Sequence, residues 1–119
     1  MTVRAFRDAF RGLADVWRTQ RNARLHTAAA VAVVMAGLFL KISSLEWAAI
    51  VLCMAIVMAL EAVNTALEYL TDLISPTYHP LAGKAKDAAA GAVLLGALGA
   101  AVVGVVIFGP KIAALFERF

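Results

Sequence analysis

Residues 61–87 read E-A-V-N-T-A-L-E-Y-L-T-D-L-I-S-P-T-Y-H-P-L-A-G-K-A-K-D, and an apolar run lies on each side. Carboxylates, an amide and lysines at the ends of membrane-length segments are costly to keep there. Such groups beside lipid make physical sense where a charged substrate is handled at the membrane surface.

The composition around this stretch sets the class. The chain has 119 residues and is 63% apolar, with a mean hydropathy of +0.85, far above that of a soluble domain. No Pro-, Gly- and Ser-rich linker divides it, so one integral-membrane domain over residues 1–119 is expected. Uncharged runs at Leu25–Leu40, Trp47–Leu60 and Ala88–Gly109 mark three spans. The second continues as a helical pattern through Glu61, Glu68 and Asp72 to about Ile74. A helix crossing a ~30 Å hydrocarbon core needs roughly 20 residues. The expectation is therefore transmembrane helices at about 25–42, 46–74 and 85–109, with Arg24 and Lys41 snorkelling at the ends of the first. Pro110 is expected to open a short tail, with Phe116 and Phe119 at the outer interface.

Arg4, Arg7, Arg11, Arg18, Arg21 and Arg24 precede the first span, and Lys84 and Lys86 lie between the second and third. By the positive-inside rule the N-terminus and the 75–87 loop are cytoplasmic. The net charge of +3 calls for no nucleic acid, since positive-inside bias and anionic headgroups account for it. Val3, Phe6, Phe10, Leu13 and Trp17 recur at helical spacing opposite a charged face. Residues 1–22 therefore read as an amphipathic helix lying on the membrane surface rather than as a cleavable signal.

At 100° per residue, Glu61, Asn64, Glu68 and Asp72 share one stripe of the second span. An interhelical hydrogen-bond seam accounts for one such residue. Two glutamates and an asparagine, aimed at a loop bearing Lys84, Lys86 and Asp87, point instead to chemistry. Carboxylates bind Mg²⁺ together with substrate phosphates, a lysine neutralises phosphate oxygens, and a separate carboxylate can accept a proton from a hydroxyl. These are the parts of phosphoryl transfer. The chain has neither a G-x-x-x-x-G-K-[ST] loop nor the protein-kinase signatures, so a nucleotide site must be built differently.

The motif E-x-x-N-T-A-[IL]-E at 61–68, with Y-H-P-L-A-G-K-A-K-D at 78–87, resembles the small prokaryotic diacylglycerol kinase and undecaprenol kinase family. The likeness runs on through A-A-A-G-A-V-L-L at 88–95 and back, weakly, to F-R-G-L at 10–13 and R-N-A-R-L-H at 21–26. It implies an all-α homotrimer of three-span subunits with an N-terminal surface helix, and MgATP-dependent phosphorylation of a lipid hydroxyl. It also implies Glu61 as catalytic base and Glu68 as a metal-binding glutamate. Asn64, Lys86 and Asp87 would lie around the ATP phosphates, with His79 and Gly83 in the loop near the nucleotide. Where the family usually has a second metal-binding glutamate, this chain has Gln20, whose amide oxygen can ligate Mg²⁺ but brings no charge.

The form of the 79–93 motif is closer to the undecaprenol branch, which favours undecaprenol over diacylglycerol as substrate. A small proton-coupled transporter with one key intramembrane glutamate is the rival from another class. The nearness of the carboxylates to a lysine-bearing loop speaks against it. A structural peptide without chemistry explains neither the stripe nor K-A-K-D. Cys53 reads as a packing residue and His26 as an interfacial side chain. The ladder Ala92, Gly96, Ala100 and Gly104 reads as a close-packing ridge. One subunit's three spans are too few to shield the stripe on all sides, so neighbouring subunits are expected to cover it.

Overall fold

In the computed structural model, which describes residues 1–119, four helices account for nearly the whole chain: α1 (Val3–Thr19), α2 (Arg21–Leu40), α3 (Ser44–Ile74) and α4 (Pro80–Phe116). α2, α3 and α4 are each long and apolar enough to cross a membrane. The protein is an all-helical, multi-pass membrane protein.

Each helix boundary has a local cause. Thr2 caps α1 by accepting a hydrogen bond from the Ala5 amide. Gln20, in extended conformation, separates α1 from α2. Arg24 then folds back and donates to the carbonyls of Trp17 and Arg18 at 3.0 and 2.8 Å, satisfying the open C-terminal end of α1. α2 ends at Lys41, which adopts the left-handed region at φ 52° and returns its N–H to Gly37. α3 begins with a capping box in which Ser43 and Glu46 satisfy each other's backbone amides. α4 starts with His79 as N-cap and Pro80 in the first turn, where a missing N–H costs nothing.

The third span differs from its sequence reading at both ends. α4 begins at Pro80 and continues past Gly109 and through Pro110 to Phe116, whereas a tail was expected from Pro110. Proline is tolerated inside membrane helices because neighbouring groups re-satisfy the freed carbonyl. Here a tertiary contact also holds the extension. Lys111 Nζ donates to Glu46 Oε2 at 2.9 Å, fastening the end of α4 to the start of α3.

α3 and α4 form the main helix pair. At the α2–α3 turn a cluster of Ile42, Ile50, Ile107 and Phe108 is buried, with Val33, Leu40, Trp47 and Met54 packed around it. The small-residue ridge of α4 is used unevenly. Gly96 lies so close to α3 that a Cβ would sit 2.6 Å from Leu60 Cδ1, whereas nothing approaches Gly104 within 4 Å. Only part of the ridge is a packing seam.

Gly37 tests the turn. A Cβ there would lie 2.7 and 2.9 Å from the Trp47 ring and 3.1 Å from Ile42 Cδ1. Because an indole cannot yield as a flexible chain end does, Gly37→Ala should destabilise the fold by about 1–3 kcal/mol. Thermal unfolding in detergent should register this as a lowered midpoint.

Candidate active site

α3 carries the site because i, i+3 and i+7 positions share a helix face. Glu61, Asn64 and Glu68 lie on that face and turn towards α2. Glu61 is 1% exposed, Thr65 1% and Asn64 8%. The inner half of the polar stripe is therefore enclosed within a single chain. For that half three spans suffice as a shield, more than was expected of one subunit, while Asp72 at the outer end stays exposed. α2 covers Glu61, while the small side chains of α4 let it pack closely from the other direction.

Glu68 is the hub of a hydrogen-bonded cluster. Its Oε1 accepts from Asn64 Nδ2 at 3.1 Å, and its Oε2 accepts from Gln20 Nε2 at 3.3 Å. The break between α1 and α2 thus delivers Gln20 directly to Glu68, across 48 positions of sequence. Asn64 Oδ1 is buried and has no hydrogen-bond partner. An acceptor oxygen of this kind beside a carboxylate suits a cation or a water held by one. The chain does not bring three or more His, Cys, Asp or Glu side chains into one group, so Glu68 is surrounded by amides rather than by carboxylates.

Nearer the middle of the span, His26 Nε2 lies 3.3 Å from Glu61 Oε1. The approach is within ion-pair range but makes no hydrogen bond, and Oε1 is left without a partner. His26 reads from sequence as an interfacial residue. Its relation to Glu61 depends on how α2 packs on α3, and no local motif signals it. The same imidazole lines an apolar groove of about 120 Å³ with Ala29, Ala30, Val33, Cys53 and Met54. Ala100 and Gly104 from α4 complete its wall. Cys53 is accordingly a lining residue of that groove.

The remaining candidates lie apart from this cluster. From Glu61 to Asp72, α3 advances roughly 16 Å at about 1.5 Å per residue. At that far end Lys86 Nζ is ion-paired to Asp72 Oδ1. A polar cleft of about 150 Å³ is lined there by Asp72, Thr77, Tyr78, His79, Gly83 and Lys86. His79 is committed in part to structure, since its Nδ1 accepts from the Leu81 amide at 3.1 Å. Asp87 is exposed and belongs to neither cluster. Tyr69, one position beyond Glu68, donates to Asp15 Oδ2 at 2.7 Å and holds α1 across the site.

The polar cleft, the amide-flanked carboxylate and the buried glutamate lie in that order along α3, next to an apolar groove. Residues 7–108 match the family described as prokaryotic diacylglycerol kinase. The chain belongs to that family. It is therefore a membrane lipid kinase, with ATP implied as phosphoryl donor. It is 44% identical to the undecaprenol kinase of Bacillus subtilis over 92% of this chain and 89% of that enzyme. It is also 44% identical to a diacylglycerol kinase of Synechocystis, over 93% of this chain but 64% of that longer protein. With the diacylglycerol kinase of Escherichia coli it shares 28% identity over 78% of this chain and 76% of that one.

Gln20 now offers a direct test of the cluster. Gln20→Glu replaces a donor to Glu68 with a second carboxylate at the same contact, and like charges at that distance repel unless a cation lies between them. The variant should unfold at lower temperature in chelator and regain stability when Mg²⁺ is added. It should also reach half-maximal activity at lower Mg²⁺ than the parent. Identical melting and Mg²⁺ titration curves for the two proteins would separate Gln20 from any metal position.

Proposed function

We propose that this kinase phosphorylates undecaprenol to undecaprenyl phosphate at the cytoplasmic face of the cell membrane. One observation carries the reading: α3 presents a buried carboxylate, Glu61, beside an apolar groove, on the same face as the Asn64–Glu68–Gln20 cluster. A lipid chain in the membrane can bring its terminal hydroxyl to the first while a nucleotide is held beyond the second. The choice of undecaprenol is supported by the likeness to the Bacillus enzyme along nearly its full length. Diacylglycerol is the second reading, supported by an equal identity to the Synechocystis kinase.

In this mechanism Glu61 accepts the hydroxyl proton as the lipid oxygen bonds to the γ-phosphorus of ATP, and the bond to the departing ADP oxygen breaks. Lys86 faces the phosphates from the loop end, exchanging its Asp72 partner for them. Asp87, His79 and Gly83 adjoin the nucleotide on the same side. Asn64 orients Glu68 through its amide and offers Oδ1 towards the phosphate region. Glu68, with the amide oxygen of Gln20 turned inward, would hold Mg²⁺, which when bound offsets phosphate charge. Asn64 Oδ1, buried without a donor, fits that arrangement.

α1 is read as a surface helix. Its Phe6, Phe10, Leu13 and Trp17 side chains are all exposed in the single chain, as an interfacial apolar face would be. With the N-terminus cytoplasmic, this face would rest in the same leaflet as the polar cleft. The homotrimer belongs to the same reading. The ~16 Å of helix between Glu61 and the level of Lys86 supports a site to which one subunit gives the base and another the phosphate lysine.

Two experiments test these assignments. Purified protein offered undecaprenol and diacylglycerol with labelled ATP should label undecaprenyl phosphate preferentially; predominant labelling of phosphatidic acid would select the second reading. In the same assay Glu61→Gln should lower turnover ~10²-fold or more, with the fold intact, and Lys86→Ala should instead raise the KM for ATP. At ATP well below the raised KM of Lys86→Ala, where neither parent turns over appreciably, co-assembled Glu61→Gln and Lys86→Ala subunits should recover measurable activity. Mixed assemblies that form yet stay as inactive as either parent would assign both residues to one chain.

A further inference from the structure

We propose that His26 is a positioning residue that holds the Glu61 carboxylate in the geometry of a base. The inference rests on the reading of Glu61 given above. It starts from an imbalance in the structure. The Glu61 side chain is 2% exposed, and its Oε1 has no hydrogen bond. A buried carboxylate oxygen without a donor is strongly disfavoured, so a nearby group must turn to it when the site is working.

The neighbouring donors are otherwise engaged. Thr65 Oγ1 donates to the backbone carbonyl of Glu61, and the amides of Asn64 and Gln20 both serve Glu68. Arg24 is folded onto the C-terminal carbonyls of α1. From α1, Asp15 meets Tyr69, well along α3 from Glu61. From α4, Lys86 pairs with Asp72, while Ala89 and Val93 are apolar where that helix is buried. That leaves His26 Nε2, already 3.3 Å from the oxygen. A small rotation of the ring converts this approach into a hydrogen bond, as catalytic contacts often tighten only with substrate in place.

The location of His26 gives the contact its consequence. Its ring is 28% exposed and lines the apolar groove beside Cys53 and Met54. The imidazole thus stands between the buried carboxylate and the route a hydrocarbon-borne hydroxyl would take. An Nε2–H donated to Oε1 fixes the carboxylate rotamer and leaves the other oxygen for the incoming hydroxyl.

Substitutions separate this role from simple packing. The side-chain nitrogen of glutamine is as many bonds from Cα as imidazole Nε2, whereas that of asparagine reaches only as far as Nδ1. In folded protein, His26→Ala and His26→Asn should lower kcat about ten- to a hundredfold, the range that a hydrogen bond to a charged group commands. The KM for ATP should stay unchanged, because His26 meets Glu61 and none of the groups assigned to the nucleotide. His26→Gln should restore most of the lost kcat. On a Glu61→Gln background His26→Ala should cost nothing further, since its effect passes through the carboxylate. Wild-type turnover in His26→Ala, equal impairment of the Gln and Asn variants, or an additive loss on Glu61→Gln would each overturn the proposal. If the alanine variant does not fold, the comparison of Gln with Asn decides. Full activity in Glu61→Gln would instead remove the base assignment itself, and the role of His26 with it.

Discussion

A carboxylate within a membrane-spanning helix is the constraint on which this architecture turns. Glu61 cannot face hydrocarbon without a large penalty, so other elements must enclose it. α2 closes over it with His26, and Gly96 allows α4 to lie against α3 just beside it, at Leu60 and Val57. The enclosure is completed within one chain, which leaves Glu61, Asn64 and Thr65 buried. The outer part of the same stripe is under no such demand. Asp72 and Lys86 satisfy each other at a partly open end, where water can reach them.

The same constraint organises the junction between α1 and α2. Gln20 serves as the break between two helices and as a partner of Glu68. The geometry of the break therefore sets what Glu68 meets. Arg24 satisfies the exposed carbonyls at the end of α1, and Tyr69 ties Asp15 down from the opposite side. The contact to Glu68 and the termination of α1 thus depend on the same few residues. A change that repairs the charge at position 20 would also alter the seating of α1.

At the other end of the molecule the demands are those of packing alone. The turn at Lys41 takes a left-handed residue, and the buried isoleucines with Phe108 fill the space behind it. Lys111 and Glu46 close that end with an ion pair. Separating a packed end from a polar end lets the site keep unpaired groups, such as Asn64 Oδ1, without loosening the bundle as a whole. It also leaves the apolar groove open between them.

Much was legible in the residues alone. Three apolar runs set three spans, because membrane thickness imposes a length on any crossing helix. The spacing of Glu61, Asn64 and Glu68 put them on one face, because helical periodicity is local. The motifs at 61–68 and 78–87 carried the family. The end of α4 was not legible, since an ion pair to a distant glutamate carries that helix through Pro110. Nor was the burial of Glu61 within one chain, or the meeting of His26 with it. These are contacts between segments far apart in sequence, decided by how α2 settles on α3. A helical pattern fixes which residues share a face, but only the packed helices determine what that face encounters.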